Sequence, residues 1–167
     1  MYGLNTKGAN MSEKTPSIDR TAVDVSLLIV RVIVGVIFAA HGAQKMFGAF
    51  DGPGLSNMVK VMGPIAVPVS IGEFFGGIGL IFGFLCRFSA ASLIVIMIGA
   101  IQIVHGKNGF FLGKAPTDQL MNSGFEYNIA LIGLLASNLI AGPGRFSIGR
   151  FFLPKSKKTS RPILILE

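Results

Sequence analysis

Long apolar runs broken by short polar or glycine-rich stretches organise the chain, and their lengths predict membrane-spanning helices. A helix needs about 20 residues to cover about 30 Å of hydrocarbon. The first run, Ser26 to Gly48, meets that length and is interrupted only by Arg31, His41, Gln44 and Lys45. A glycine- and proline-containing connection follows, with room for a short interfacial helix around Leu55 to Met62. The second span is Ile65 to Cys86, with Pro68 in its first turn, where a missing N–H is tolerated, and Glu73 as its charged residue. Arg87 then stands between two apolar runs with hardly any turn residues, which predicts a tight helical hairpin. The third span, Phe88 to Val104, carries no charge and ends beside Gln102 and His105. Residues Gly106 to Phe125 are too polar to cross, yet Phe110, Phe111, Leu112, Leu120 and Met121 tie them to the membrane, and they are expected against the outer mouth of the bundle. The fourth span runs from Glu126 to Ile140 and is stopped by Ala141-Gly-Pro-Gly144.

Four such helices imply an all-α, integral membrane four-helix bundle. Small residues recur at four-residue spacing: Gly35, Ala39 and Ala43; Gly72 with Gly76; Gly79 with Gly83; and Gly133, Ser137 and Ala141. In lipid the hydrophobic effect does not drive helices together, so close backbone approach at such ridges is the expected source of packing. Three regions are delimited: a polar leader over 1–25, a membrane domain over 26–152 and a basic tail over 153–167. The leader has no apolar core of a secretory signal.

Composition agrees with the pattern. The 167 residues are 51% hydrophobic and only 14% charged, with a mean hydropathy of +0.65, against roughly 25% charged in a soluble domain. The net charge of +7 is not a nucleic-acid signature, because the basic residues flank the apolar runs and fill the tail rather than forming a stripe with interleaved aromatics. It reads as a topology signal. Ten Lys and Arg fall on the side of the termini (Lys7, Lys14, Arg20, Arg87, Arg145, Arg150, Lys155, Lys157, Lys158, Arg161) and four on the other (Lys45, Lys60, Lys107, Lys114), which places both termini in the cytoplasm. Cys86 is the single cysteine, so intramolecular thiol exchange and a thiolate cluster are excluded.

Ionisable groups in hydrocarbon cost about 2.5–3.5 kcal/mol each on insertion scales and need a partner or a purpose. At 1.5 Å per residue, Arg31 lies roughly 8 Å and His41 roughly 22 Å above the start of the first span, while Glu73 lies roughly 12 Å below the outer surface. His41 and Glu73 therefore share a depth, within a turn. One polar cavity in the outer half is expected to gather His41, Gln44, Lys45, Glu73, Gln102, His105, Glu126 and Tyr127. For Glu73 a structural ion pair with His41, Lys45 or Arg31 stands beside a functional role. Lys45, His105 and Arg31 are expected to snorkel to the interfaces. Two histidines raise the question of haem ligation, against which stands the lack of any further haem signature. No metal site is expected, because the histidines and carboxylates lack ligand spacing. The glycines of Glu73-Phe-Phe-Gly-Gly-Ile-Gly-Leu80 lie inside an apolar span, where packing rather than phosphate binding explains them.

Arg31, Gly35, Phe38, His41, Gly42, Lys45 and Phe47 in the first span, EFFGGIGL with a closing Cys-Arg in the second, VHGKNGFF after the third, and EYN with GPGRFSIGRF around the fourth together resemble the DoxX family of small bacterial membrane proteins. The similarity covers about Leu27 to Phe152. It implies the four-helix fold and nominates Arg31, His41, Lys45, Glu73, His105, Asn108, Glu126 and Tyr127 as motif positions. Family members have been associated with membrane oxidoreductase assemblies, including a thiosulfate-to-quinone oxidoreductase subunit, with quinone or catechol resistance, and with a complex linking thiol and superoxide defence. Where the family often has threonine before the arginine, this chain has Cys86.

The leading reading is a redox-associated subunit in the bacterial inner membrane whose outer cavity receives a quinone-like molecule. Phe38, Phe47, Phe74, Phe75, Phe110 and Phe111 suit a quinone ring, and the polar cluster suits its carbonyl oxygens. No cofactor motif is evident, so electrons would come from a redox partner protein. The lipid bilayer is the other partner, nucleic acid is not one, and a homo-oligomer is compatible with the sequence. A small-solute transporter and a membrane scaffold for a cytoplasmic partner remain as alternatives.

Overall fold

A computed structural model describes residues 19–112 and 124–149. Among these the chain is helical: α1 (Arg20–Phe47), α2 (Gly54–Met62), α3 (Ala66–Phe82), α4 (Cys86–Ala100) and α5 (Glu126–Ala141). Helices α1, α3, α4 and α5 form an all-α four-helix bundle in which α1 packs on α3, α3 on α4, α4 on α5, and α5 back on α1. Val34, Phe38, Leu80, Ala90, Leu93, Leu131 and Leu135 make its buried core, while large apolar residues such as Ile33, Val95 and Ile140 cover its exterior. An apolar exterior around a small core is how a bundle solvated by lipid is built.

Among the described residues three segments, Arg20–Phe47, Ala49–Phe82 and Cys86–Asn108, are long and apolar enough to cross a membrane; α5 is a shorter apolar helix. Its 16 residues reach about 24 Å at 1.5 Å each. Helix α1 starts ahead of the expected Ser26, within the polar leader. Asp19 is the reason: its carboxylate accepts from Thr21 N at 2.9 Å and Ala22 N at 3.4 Å, satisfying amides that would otherwise fray the first turn. The short interfacial helix expected near Leu55 is α2. The α3–α4 hairpin turns through Gly83, at φ +67°, and Leu85, at φ +48°.

The glycine ridges divide into two kinds. A Cβ on Gly42 would collide with the Phe74 backbone, and one on Gly35 would come within 2.7 Å of Gly77 O, so α1 and α3 touch backbone to backbone. Gly76 instead abuts Leu93 of α4, with 3.1 Å left to a Cβ. Gly133, expected to pack α5 inside the bundle, faces open space. The inward face of α5 is Asn128, Leu131, Leu135 and Asn138. Spacing alone did not reveal which side of the helix the small residues occupy.

Candidate functional site

Close contact between α1 and α3 brings the site together. Gly42 lies against the backbone of Phe74, so the side chain one turn further along α1 meets the residue just before Phe74 on α3. Lys45 Nζ donates to both carboxylate oxygens of Glu73 at 2.6 Å. Glu73 is 2% exposed, and the Lys45 side chain is mostly covered. Lys45 therefore does not snorkel: pairing with a buried carboxylate satisfies both charges where neither has much water. Of the partners open to Glu73 in the sequence, Lys45 is the one in bonding contact. His41, one turn earlier on α1 and half-buried, lies within electrostatic reach of Glu73 and Lys45.

Phenylalanines flank the pair. Phe74 meets Phe47 edge-on with centroids 5.3 Å apart and Phe75 in the same manner at 5.2 Å. Phe47 and Phe75 are exposed on their outer sides. The site thus places two charged groups and an imidazole next to an aromatic face open to lipid.

Gln44 packs its side chain against the turn at Gly52, where a Cβ would overlap it. Gln102 is exposed and Tyr127 is 39% exposed. Glu126 accepts from Leu112 N at 2.8 Å. With Glu126 N donating to Phe110 O and Phe125 N to Gly109 O, that carboxylate pins the start of the loop to the start of α5. Phe110 stacks edge-on against Phe111 and Phe125 there, while residues 113–123 of the loop, including the expected membrane-facing Leu120 and Met121, lie outside the described residues. His105, half-buried, closes a π-helical turn (Ile101–His105) at the end of α4, where Gly106 N donates five residues back to Ile101 O. Such turns widen a helix locally and are frequent at functional sites.

At the opposite end of the bundle the structure overturns the expectation for Arg31. Its side chain does not reach the headgroups; the residue is 2% exposed. Nη1 donates to Pro143 O at 3.2 Å and Nη2 to the Phe146 carbonyl. Gly83 makes room, since a Cβ there would overlap the guanidinium. The carbonyls left unpaired past the end of α5 are the physical reason: they offer a cation a buried anchorage. Sequence reasoning also passed over Asn128 and Asn138. Asn138 is fully buried and donates to Leu134 O at 3.0 Å, and Asn128 donates to Met97 Sδ at 3.4 Å. The signal was available, because both share the Leu131 and Leu135 face of α5.

The family model described as DoxX matches residues 26–106. A putative oxidoreductase, CatD, of Bacillus subtilis is 30% identical over 104 residues, covering 59% of this chain and 72% of that protein. The uncharacterized membrane protein Rv3486 of Mycobacterium tuberculosis is 29% identical, covering 75% of this chain and 80% of its own. The inner membrane protein YqjF of Escherichia coli is 28% identical, covering 79% and 95% respectively. No solved structure matches the chain.

Proposed function

The chain belongs to the DoxX family, and from that premise we propose that it is a redox-associated subunit of a bacterial inner-membrane oxidoreductase system that binds a quinone-like molecule beside Lys45 and Glu73. The observation that carries this reading is the Lys45–Glu73 pair, with both Nζ contacts at 2.6 Å, set next to the Phe47, Phe74 and Phe75 cluster. A quinone needs what this arrangement offers: an aromatic wall for the ring, a cationic donor for a carbonyl oxygen and a group that exchanges protons. The name of the Bacillus relative, a putative oxidoreductase, points the same way.

In this reading Lys45 donates to one quinone oxygen and Glu73 keeps the ammonium in place. Reduction to the quinol takes up two electrons and two protons. His41 and Glu73 are the proton-exchanging groups beside the ring, and the electrons arrive from a partner protein. We also infer four crossings with both termini in the cytoplasm, from the Lys and Arg bias. In a Cys86→Ser background, a cysteine at Lys107 should then react with an impermeant maleimide in intact cells, and one at Arg145 should not; the reverse would move the site to the cytoplasmic side.

The experiment that tests the ligand is thermal unfolding in detergent with a short-chain quinone. A ligand of the folded state stabilises it by RT ln(1 + [L]/Kd), about 2.7 kcal/mol at a hundredfold excess over Kd. The melting temperature should rise with quinone, and Lys45→Met/Glu73→Leu should remove much of that rise. An unchanged melting curve, together with solute flux through proteoliposomes of the protein alone, would replace this reading with a transporter.

A further inference from the structure

We propose that the bundle end formed by the start of α1, the α3–α4 hairpin and the segment after α5 is a docking surface for anionic phospholipid headgroups. Three contacts assemble this end: Arg145 N donates to Asp24 Oδ1 at 2.9 Å, Ile148 N to Phe82 O at 3.0 Å, and Arg87 Nη2 to Ile140 O at 3.1 Å. Among the described residues it carries Arg20, Arg31, Arg87 and Arg145 against Asp19 and Asp24.

Neither aspartate neutralises an arginine. Asp19 caps the amides of Thr21 and Ala22, and Asp24 accepts from the Arg145 backbone amide. Among the described residues no arginine is paired with a carboxylate. Arg31 is turned inward, but Arg20, Arg87 and Arg145 are exposed. Among the described residues the opposite end has Lys45, Lys60 and Lys107 against Asp51, Glu73 and Glu126, which balance, so the surplus of positive charge among them lies at the arginine end.

Position and chemistry then select the occupant. Phe84, Phe88 and Phe146 are exposed beside these arginines, Phe88 by 70%. On a membrane protein, phenylalanines exposed at helix ends enter the acyl region, which puts the neighbouring guanidiniums at the depth of lipid phosphates. A guanidinium presents a fork of donors that matches phosphate oxygens, and a basic cluster at a membrane surface favours anionic lipid. This inference is independent of the ligand at the lysine end.

The test is native mass spectrometry of the full chain in detergent, titrated with dioleoyl phosphatidylglycerol or dioleoyl phosphatidylcholine. Phosphatidylglycerol should bind the parent protein more tightly than phosphatidylcholine. Its affinity should fall about fivefold for each arginine removed in Arg87→Gln/Arg145→Gln. Lys60→Gln/Lys107→Gln, which loses the same charge at the other end, should bind as the parent does. Arg145→Gln alone, which keeps the Arg87 bond to α5, serves if the double variant fails to fold. Inorganic phosphate should not compete. Equal affinity for the two lipids, or equal losses from the arginine and lysine variants, would overturn the proposal, and competition by phosphate would replace it with a soluble-anion site.

Discussion

The two ends of the bundle handle buried charge in opposite ways. At the lysine end a cation meets a carboxylate, Lys45 on Glu73, and the local charge closes to neutral. At the arginine end a cation meets only backbone, Arg31 on the carbonyls of Pro143 and Phe146, and the positive charge remains. Each arrangement limits what its end of the bundle can do. An ion pair holds two groups whose protonation and hydrogen bonding an incoming ligand can redistribute, which suits chemistry. A guanidinium among carbonyls has no proton to exchange and ties α1 to the segment after α5, which suits a clasp.

Breaking the ion pair from one side should have the largest effect. Lys45→Met leaves the Glu73 carboxylate buried without a partner, which costs about 3–5 kcal/mol in comparable pairs, whereas Lys45→Met/Glu73→Leu should recover most of the loss. Unfolding in denaturant measures both, and a Lys45→Met protein as stable as the parent would show that the pair is not buried as described. Arg31→Met comes next, since it strands the Pro143 and Phe146 carbonyls at about 1–3 kcal/mol for a buried unsatisfied group. It should also loosen the 142–149 segment, read as faster hydrogen exchange at the Ile148 amide. Were exchange there unaltered, the clasp would not depend on Arg31.

Glycine substitutions should have smaller effects. Gly42→Ala forces α1 away from Phe74 and should cost about 1–3 kcal/mol as an overpacking change, with the ion pair weakened as α1 and α3 separate. Gly133→Ala enters open space and should stay within about 0.5 kcal/mol of the parent. Melting temperatures of the pair decide this, and the reverse order would mean that α5 buries Gly133 against a neighbour.

Much of this was legible in the sequence. Apolar run lengths located the helices, Arg87 between two runs marked the hairpin, and helical rise put Glu73 at the depth of the first span's polar residues. Depth, however, carries no azimuth. It cannot distinguish Lys45 from His41 as the partner of Glu73, nor show that Gly133 points outward and Asn138 inward. The burial of Arg31 was hidden for another reason. Its partners are main-chain carbonyls over a hundred positions away, and a main-chain carbonyl leaves no mark in residue identity. The Asp19 cap was readable by type but lay within a stretch whose polarity argued for a leader.

Photolabelling with an azido-benzoquinone, with the adduct mapped by peptide mass spectrometry, decides whether a quinone-like molecule sits beside Lys45 and Glu73. This binding mode predicts adducts on the α1 and α3 peptides that carry Phe47, Phe74 and Phe75, suppressed by excess unlabelled quinone and reduced in Lys45→Met/Glu73→Leu. Adducts that resist competition, or that fall on the peptides around Phe84 and Phe146 at the arginine end, would contradict it.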